Sequence, residues 1–216
     1  MKRFLTVLLA MAFVMSFASC SKDEGDATDQ SEVTTENMGT KETPDTDSSF
    51  EQGSVAQQTY KNEFIGIGCT LDDGWTFYTD DQIAKLNEGK SDILYDMYAE
   101  NSASAQKAEV KLQKLTRVQV LSLDLETMYN SQSAMIKADM EKEGAVDFSY
   151  TIETVSLAGK DTPALVATAT VNGDEVHRIF ASLKAGEYLT NITVTADSKD
   201  AVDLILGTFF SLGVNN

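Results

Sequence analysis

The sequence predicts an α+β fold: an antiparallel sheet with a C-terminal four-strand meander, one long central helix and a C-terminal helix packed on it. Three observations carry this. Between Phe148 and Thr195, alternating apolar segments are separated by Ala158-Gly159-Lys160-Asp161, Asn172-Gly173 and Ala185-Gly186, and Asn-Gly is the strongest short hairpin signal. From about Leu123 to Glu143, the residues Leu125, Met128, Tyr129, Gln132, Met135, Ile136, Asp139 and Met140 share a helical stripe that stops at Gly144. After the capping residue Ser198, Val202, Ile205, Leu206, Phe209 and Phe210 predict a last helix through about Leu212.

From the N-terminus, Lys2 and Arg3 precede an apolar run from Phe4 to Phe17 and the small residues Ala18 and Ser19. A charged head, an apolar stretch and small residues at the cut make residues 1–19 a secretory signal. A membrane span needs about twenty apolar residues, and Ser21-Lys22-Asp23-Glu24 ends the run before that. Residues 20–58 are dominated by Ser, Thr, Asp, Glu and Gly. They cannot bury enough apolar surface to offset ordering, so a disordered acidic tether is expected there, with residues 59–216 as one domain. An apolar fraction of 42% can build that domain's core, and the net charge of −17 argues against nucleic acid and against a basic patch for anionic lipid.

Within the domain, Tyr60-Lys61-Asn62 and Phe64 to Leu71 read as one or two strands, and Asp72-Asp73-Gly74 as a turn. Trp75 to Tyr78 is a short aromatic strand. Thr79-Asp80-Asp81-Gln82 has capping-box spacing, which starts a helix that runs to about Asn87 and ends at Gly89-Lys90. Asp92 to Glu100, with Ile93, Leu94, Tyr95, Met97 and Tyr98, fits helix and strand alike. Val110, Leu112 and Leu115, set between Glu109, Lys111, Gln113 and Lys114, mark a half-buried strand.

Residues with chemistry are few. Cys69 shares an alternate face with Ile65, Ile67 and Leu71, which makes it a small buried hydrophobe. His177, the sole histidine, lies on a face with Ile179, Ala181 and Leu183 and reads as half-buried and structural, with no Gly-x-Ser-x-Gly elbow to accompany it. One histidine and one available cysteine do not make the usual zinc ligand sets, so no metal and no cofactor is expected. Asp72, Asp73, Trp75 and Tyr78 form the candidate binding surface. Asp72, Asp73, Asp80 and Asp81 read as turn and capping groups, or alternatively as a glycosidase-like carboxylate pair. Gly66 and Gly68 leave a furrow between Phe64 and Thr70 that a helix or a peptide backbone would fill.

Two resemblances extend this reading. Ala18-Ser19-Cys20 resembles the lipobox of bacterial lipoproteins, with Phe17 where an aliphatic residue is usual. It implies that Cys20 takes a diacylglyceryl group and becomes the new N-terminus, on the extracytoplasmic face of the cell membrane. Ser21-Lys22-Asp23-Glu24 resembles the acidic signal that sends some Bacteroidota lipoproteins to the outer membrane surface. Tyr60-x-Asn62, Gly66, Gly74-Trp75, the long helix, the meander and the closing Phe209-Phe210 resemble the PsbP-like α/β/α sandwich over Thr59 to Asn216. Asp73 stands where that family has proline. This resemblance implies a non-enzymatic binding or scaffold domain for an envelope protein partner; an envelope hydrolase using acids near Trp75 is the alternative.

Overall fold

The hairpins form because their turns take the positive φ that tight connections require: 55° and 93° at Asn172 and Gly173, and 51° and 77° at Ala158 and Gly159. In the computed structural model, which describes residues 50–213, β7 (Ala145–Leu157), β8 (Lys160–Val171), β9 (Asp174–Ala185) and β10 (Tyr188–Ala196) are antiparallel neighbours in that order. β10 continues to β6 (Gln106–Lys114), then β5 (Ile93–Asn101) and β4 (Thr76–Phe77), which makes a seven-stranded sheet. A second antiparallel sheet joins β1 (Ser54–Ala56), β2 (Thr59–Asn62), β3 (Ile67–Thr70) and β11 (Phe209–Ser211). Among the described residues the helices are α1 (Asp80–Asn87), α2 (Arg117–Ser122), α3 (Leu125–Lys142) and α4 (Lys199–Leu206).

The large sheet lies between two layers. On one face α3 sets Tyr129, Ile136 and Met140 against Leu165, Ala167 and Ala169, with Met128 and Phe180 beside them. The methionines of the helical stripe therefore serve this core. On the other face lie the small sheet and α4, marked by Phe64 meeting Tyr188 edge-on at 5.0 Å and by Lys199 of α4 reaching Glu153 of β7 at 3.4 Å. Each fully buried Leu or Ile in such a core contributes about 1.5–3 kcal/mol, so the sandwich is held mainly by this apolar interior. Among the described residues no helix is long and apolar enough to cross a membrane.

Several elements differ from the sequence expectation. Two sheets stand where one was expected, and Asp92 to Glu100, which fitted helix and strand alike, is strand, the body of β5. The long central helix keeps nearly its expected bounds as α3, capped by Asp124, and a short helix that was not expected, α2, precedes it under a Thr116–Gln119 capping box. The last helix ends at Leu206, because Gly207 caps it, and Phe209 and Phe210 leave it to pair with Cys69 and Gly68 of β3. Paired backbone begins at Ser54, ahead of Thr59. The signal over residues 1–19, Cys20 and the tether up to residue 49 lie outside the described residues.

Candidate functional site

The residues that the sequence grouped around Trp75 differ in exposure. Trp75 is 6% exposed, so its ring belongs to the core and not to a surface. Asp72 and Asp73 are exposed, and the Asp72 carboxylate accepts the Gly74 N–H at 3.0 Å, which fixes the turn. Gln58 braces the same turn by donating to the carbonyls of Asp72 and Trp75 at 2.7 and 2.9 Å. Tyr78 is half-buried and leans on Tyr98 with 4.4 Å between ring centroids. Asp80 and Asp81 occupy the first turn of α1 behind a complete Thr79–Gln82 capping box, where the helix dipole favours acids.

The remaining candidates are accounted for inside the fold. Cys69 is buried, with its sulfur 3.2 Å from the Thr208 hydroxyl, and burial pushes its thiol up to about 11 despite that contact. A thiol so placed is a poor nucleophile. His177 is half-buried with Nδ1 at 3.3 Å from Thr168 Oγ1 and Nε2 at 2.6 Å from Glu175. Over Gly68 lies the Phe210 ring of β11, so close that a Cβ there would come within 2.5 Å of it. A side chain of the chain's own last strand thus fills the furrow at that glycine.

Sequence reasoning missed a polar floor on the helix-covered face of the large sheet. Glu109 and Lys111 sit two residues apart on β6 and pair at 2.5 Å, with Lys111 buried. Lys111 Nζ also lies over the Tyr95 ring at 4.5 Å, and Lys90 approaches the same ring at 4.5 Å. On β9, buried Arg178 donates to both Glu143 oxygens at 3.2 and 2.8 Å, and its Nε donates to Thr195 Oγ1 at 3.0 Å. Burial alone would raise the Glu109 carboxyl, but Lys111 and Arg178 hold it below the usual carboxylate range. Burial alone would lower the Lys111 ammonium, and Glu109 holds it above its ordinary value. A catalytic acid or base works best near the operating pH; these groups are driven away from neutrality in opposite directions, as a structural ion network requires. Alternating charge along β6 was the available signal, but it reads equally as a solvated face.

At the sheet's outer edge, β7 presents a long open strand. It spans 13 residues and, among the described residues, pairs only with β8, while strands of about 5–6 residues are the norm. Its charges are limited to Asp147 and Glu153, it contains no proline, and Val146 and Tyr150 are exposed. Native sheets ordinarily blunt such an edge with charge, proline or brevity. A bulge between Val146 and Ser149 interrupts only its first turn of pairing.

No family model matches the chain, and no curated protein matches it. Among solved structures, the fold is similar to that of LpqN, described as involved in cell envelope biogenesis of Mycobacterium tuberculosis, with a TM-score of 0.41 and 11% identity over 67% of this chain and 82% of that one.

Proposed function

We propose that the protein is a lipid-anchored, extracytoplasmic binding lipoprotein whose PsbP-like domain docks an envelope protein partner along β7. The single observation that carries this is the edge position of β7, which among the described residues has no strand beyond it and carries sparse charge, and so suits an added strand from another protein. Cys20 supplies the lipid anchor, and the acidic residues between it and Glu51 supply the tether. The hydrolase alternative has less support. Asp72 is engaged in a turn and Asp80 and Asp81 in a helix start, and the half-buried acid Glu109 is already ion-paired.

Photo-crosslinking in the native envelope tests this reading. A probe at Thr151 or Thr154 of β7 is expected to capture one discrete protein, a probe at Asp200 of α4 is not, and Tyr150→Lys with Thr154→Lys is expected to abolish capture. Equal capture from both places, or capture insensitive to the lysines, contradicts the docking edge.

A further inference from the structure

We propose that α2 and the sheet end around it form the membrane-facing end of the domain, with Val118 and Leu121 resting at the headgroup–acyl boundary of the bilayer that anchors Cys20. This inference rests on the lipid-anchor reading above.

The first observation is the helix itself. α2 has no buried residue, and Val118 and Leu121 are 72% and 82% exposed. Three residues apart, they stand on the same side of the helix and form one exposed aliphatic pair. The helix is firmly placed: Thr116 and Gln119 close a capping box, and Lys184 donates to the Val120 carbonyl. The aliphatic pair is therefore presented outward by built structure.

The second observation is where the chain leaves the domain. Tyr188 pairs with Ala185 and with Lys114, and Leu115 N–H donates to the Glu187 carbonyl at 2.8 Å, so the β9–β10 turn and the start of α2 share one end of the sheet. Phe64 packs on Tyr188, which brings the β2–β3 turn to that end too. β1 pairs Ser54 with Lys61, and Asn62 donates to the Glu51 carbonyl at 3.0 Å. The described backbone thus begins, near Glu51, toward that same end of the sheet.

The third observation is charge. At that end stand Lys90, Lys114, Arg117, Lys160 and Lys184 against Glu63, Asp92, Asp124, Asp161 and Glu187, a near balance in a chain of net charge −17. The opposite end of the sheet carries Asp147, Asp174, Glu175 and Asp197 with Lys107. Of the two ends, the α2 end meets anionic headgroups with the lesser repulsion, and its aliphatic pair supplies the attraction. Once acyl chains hold the protein, this contact is intramolecular in effect, so a small apolar wedge suffices.

The test uses the full acylated protein with an environment-sensitive fluorophore on Leu121→Cys or, as control, on Asp174→Cys. Cys69 stays unlabelled because it is buried. The protein is reconstituted in phosphatidylethanolamine–phosphatidylglycerol vesicles that carry a nitroxide lipid. The probe at position 121 is expected to lose most of its emission and shift to the blue, the control to keep its emission, and Val118→Ser to restore much of the loss at 121. Equal quenching at both positions in protein that floats with the vesicles overturns the inference and leaves the anchor standing. Quenching at 121 only after a second protein is added, or only at high surface density, assigns a protein partner or a second copy and also overturns it. Protein that fails to float with the vesicles refutes the anchor and this inference together.

Discussion

The Asp96 carboxylate accepts the Tyr60 hydroxyl in a short hydrogen bond that ties the seven-stranded sheet to the four-stranded one. A register shift in β5 between Tyr95 and Met97 makes this possible, since the additional residue lets Asp96 and Met97 both face the small sheet. The same carboxylate accepts Asn62 Nδ2 and the Gly53 N–H, each at 2.8 Å. Tyr60→Phe removes one donor to a charged group, a loss of about 1.5–3 kcal/mol. Asp96→Ala leaves three donors, two of them buried, without this acceptor at once and is expected to cost more, about 3–5 kcal/mol. Urea unfolding of both variants checks the order; a costlier Tyr60→Phe contradicts it.

Asp96 and Glu109 give opposite pH signatures. Burial, only partly offset by its three donors, leaves the Asp96 carboxyl above its ordinary value. Its stabilising contribution is therefore complete below about 3.9 and is lost as pH rises through the folded value. Glu109 is held below its ordinary value, so its contribution is complete above about 4.3 and is lost as pH falls through the folded value. From acid to neutral pH, the stability of the protein over Asp96→Asn is expected to shrink, and its stability over Glu109→Gln to grow. Denaturation midpoints that move the same way for both pairs contradict the assignment.

The Arg178–Glu143 pair is unequal in its two halves. Arg178 is buried under the end of α3, whereas Glu143 stays about a third exposed. Arg178→Ala leaves Glu143 and Thr195 without their donor and is expected to cost roughly 2–4 kcal/mol, and Glu143→Gln, which solvent screens, about 1 kcal/mol or less. Thermal unfolding of the two variants measures the inequality.

Gly68 and Cys69 report on the last strand. Gly68→Ala drives a methyl group into the Phe210 ring and is expected to cost about 1–3 kcal/mol by overpacking. If the substitution detaches β11, Cys69 loses its cover, because Phe209 pairs with it. The native Cys69 thiol is expected to stay unreactive toward a disulfide reagent and to react on unfolding or in Gly68→Ala. Rapid labelling of the unaltered native protein contradicts its burial.

The meander was legible in the sequence because turn chemistry and two-residue alternation agree from Phe148 to Thr195. β5 was not, for a reason visible at Asp96: the bulge puts Leu94 and Met97 on one face, and this three-residue spacing imitates a helix. Phe209 and Phe210 continue the stripe of Val202, Ile205 and Leu206 in sequence, and only the turn after Gly207 turns them into strand. α2 carried its signal in Thr116 and Gln119, but its apolar residues face solvent, so no amphipathic stripe marked it. At the candidate site, Asp72 and Tyr78 are near where the sequence put them, and Trp75 is not, because an indole between acids reads as exposed until packing is known. The ion network at Glu109, Lys111 and Arg178 joins β6 to β9, a juxtaposition that a single strand's pattern does not contain.

The proposal of a membrane-held binding domain depends above all on the chemistry at Cys20. Mass spectrometry of the N-terminal peptide from protein matured in its native envelope tests it directly. The expected result is a chain that begins at Cys20 with diacylglycerol on its sulfur; a mature chain that begins elsewhere, or an unmodified Cys20 thiol, contradicts it.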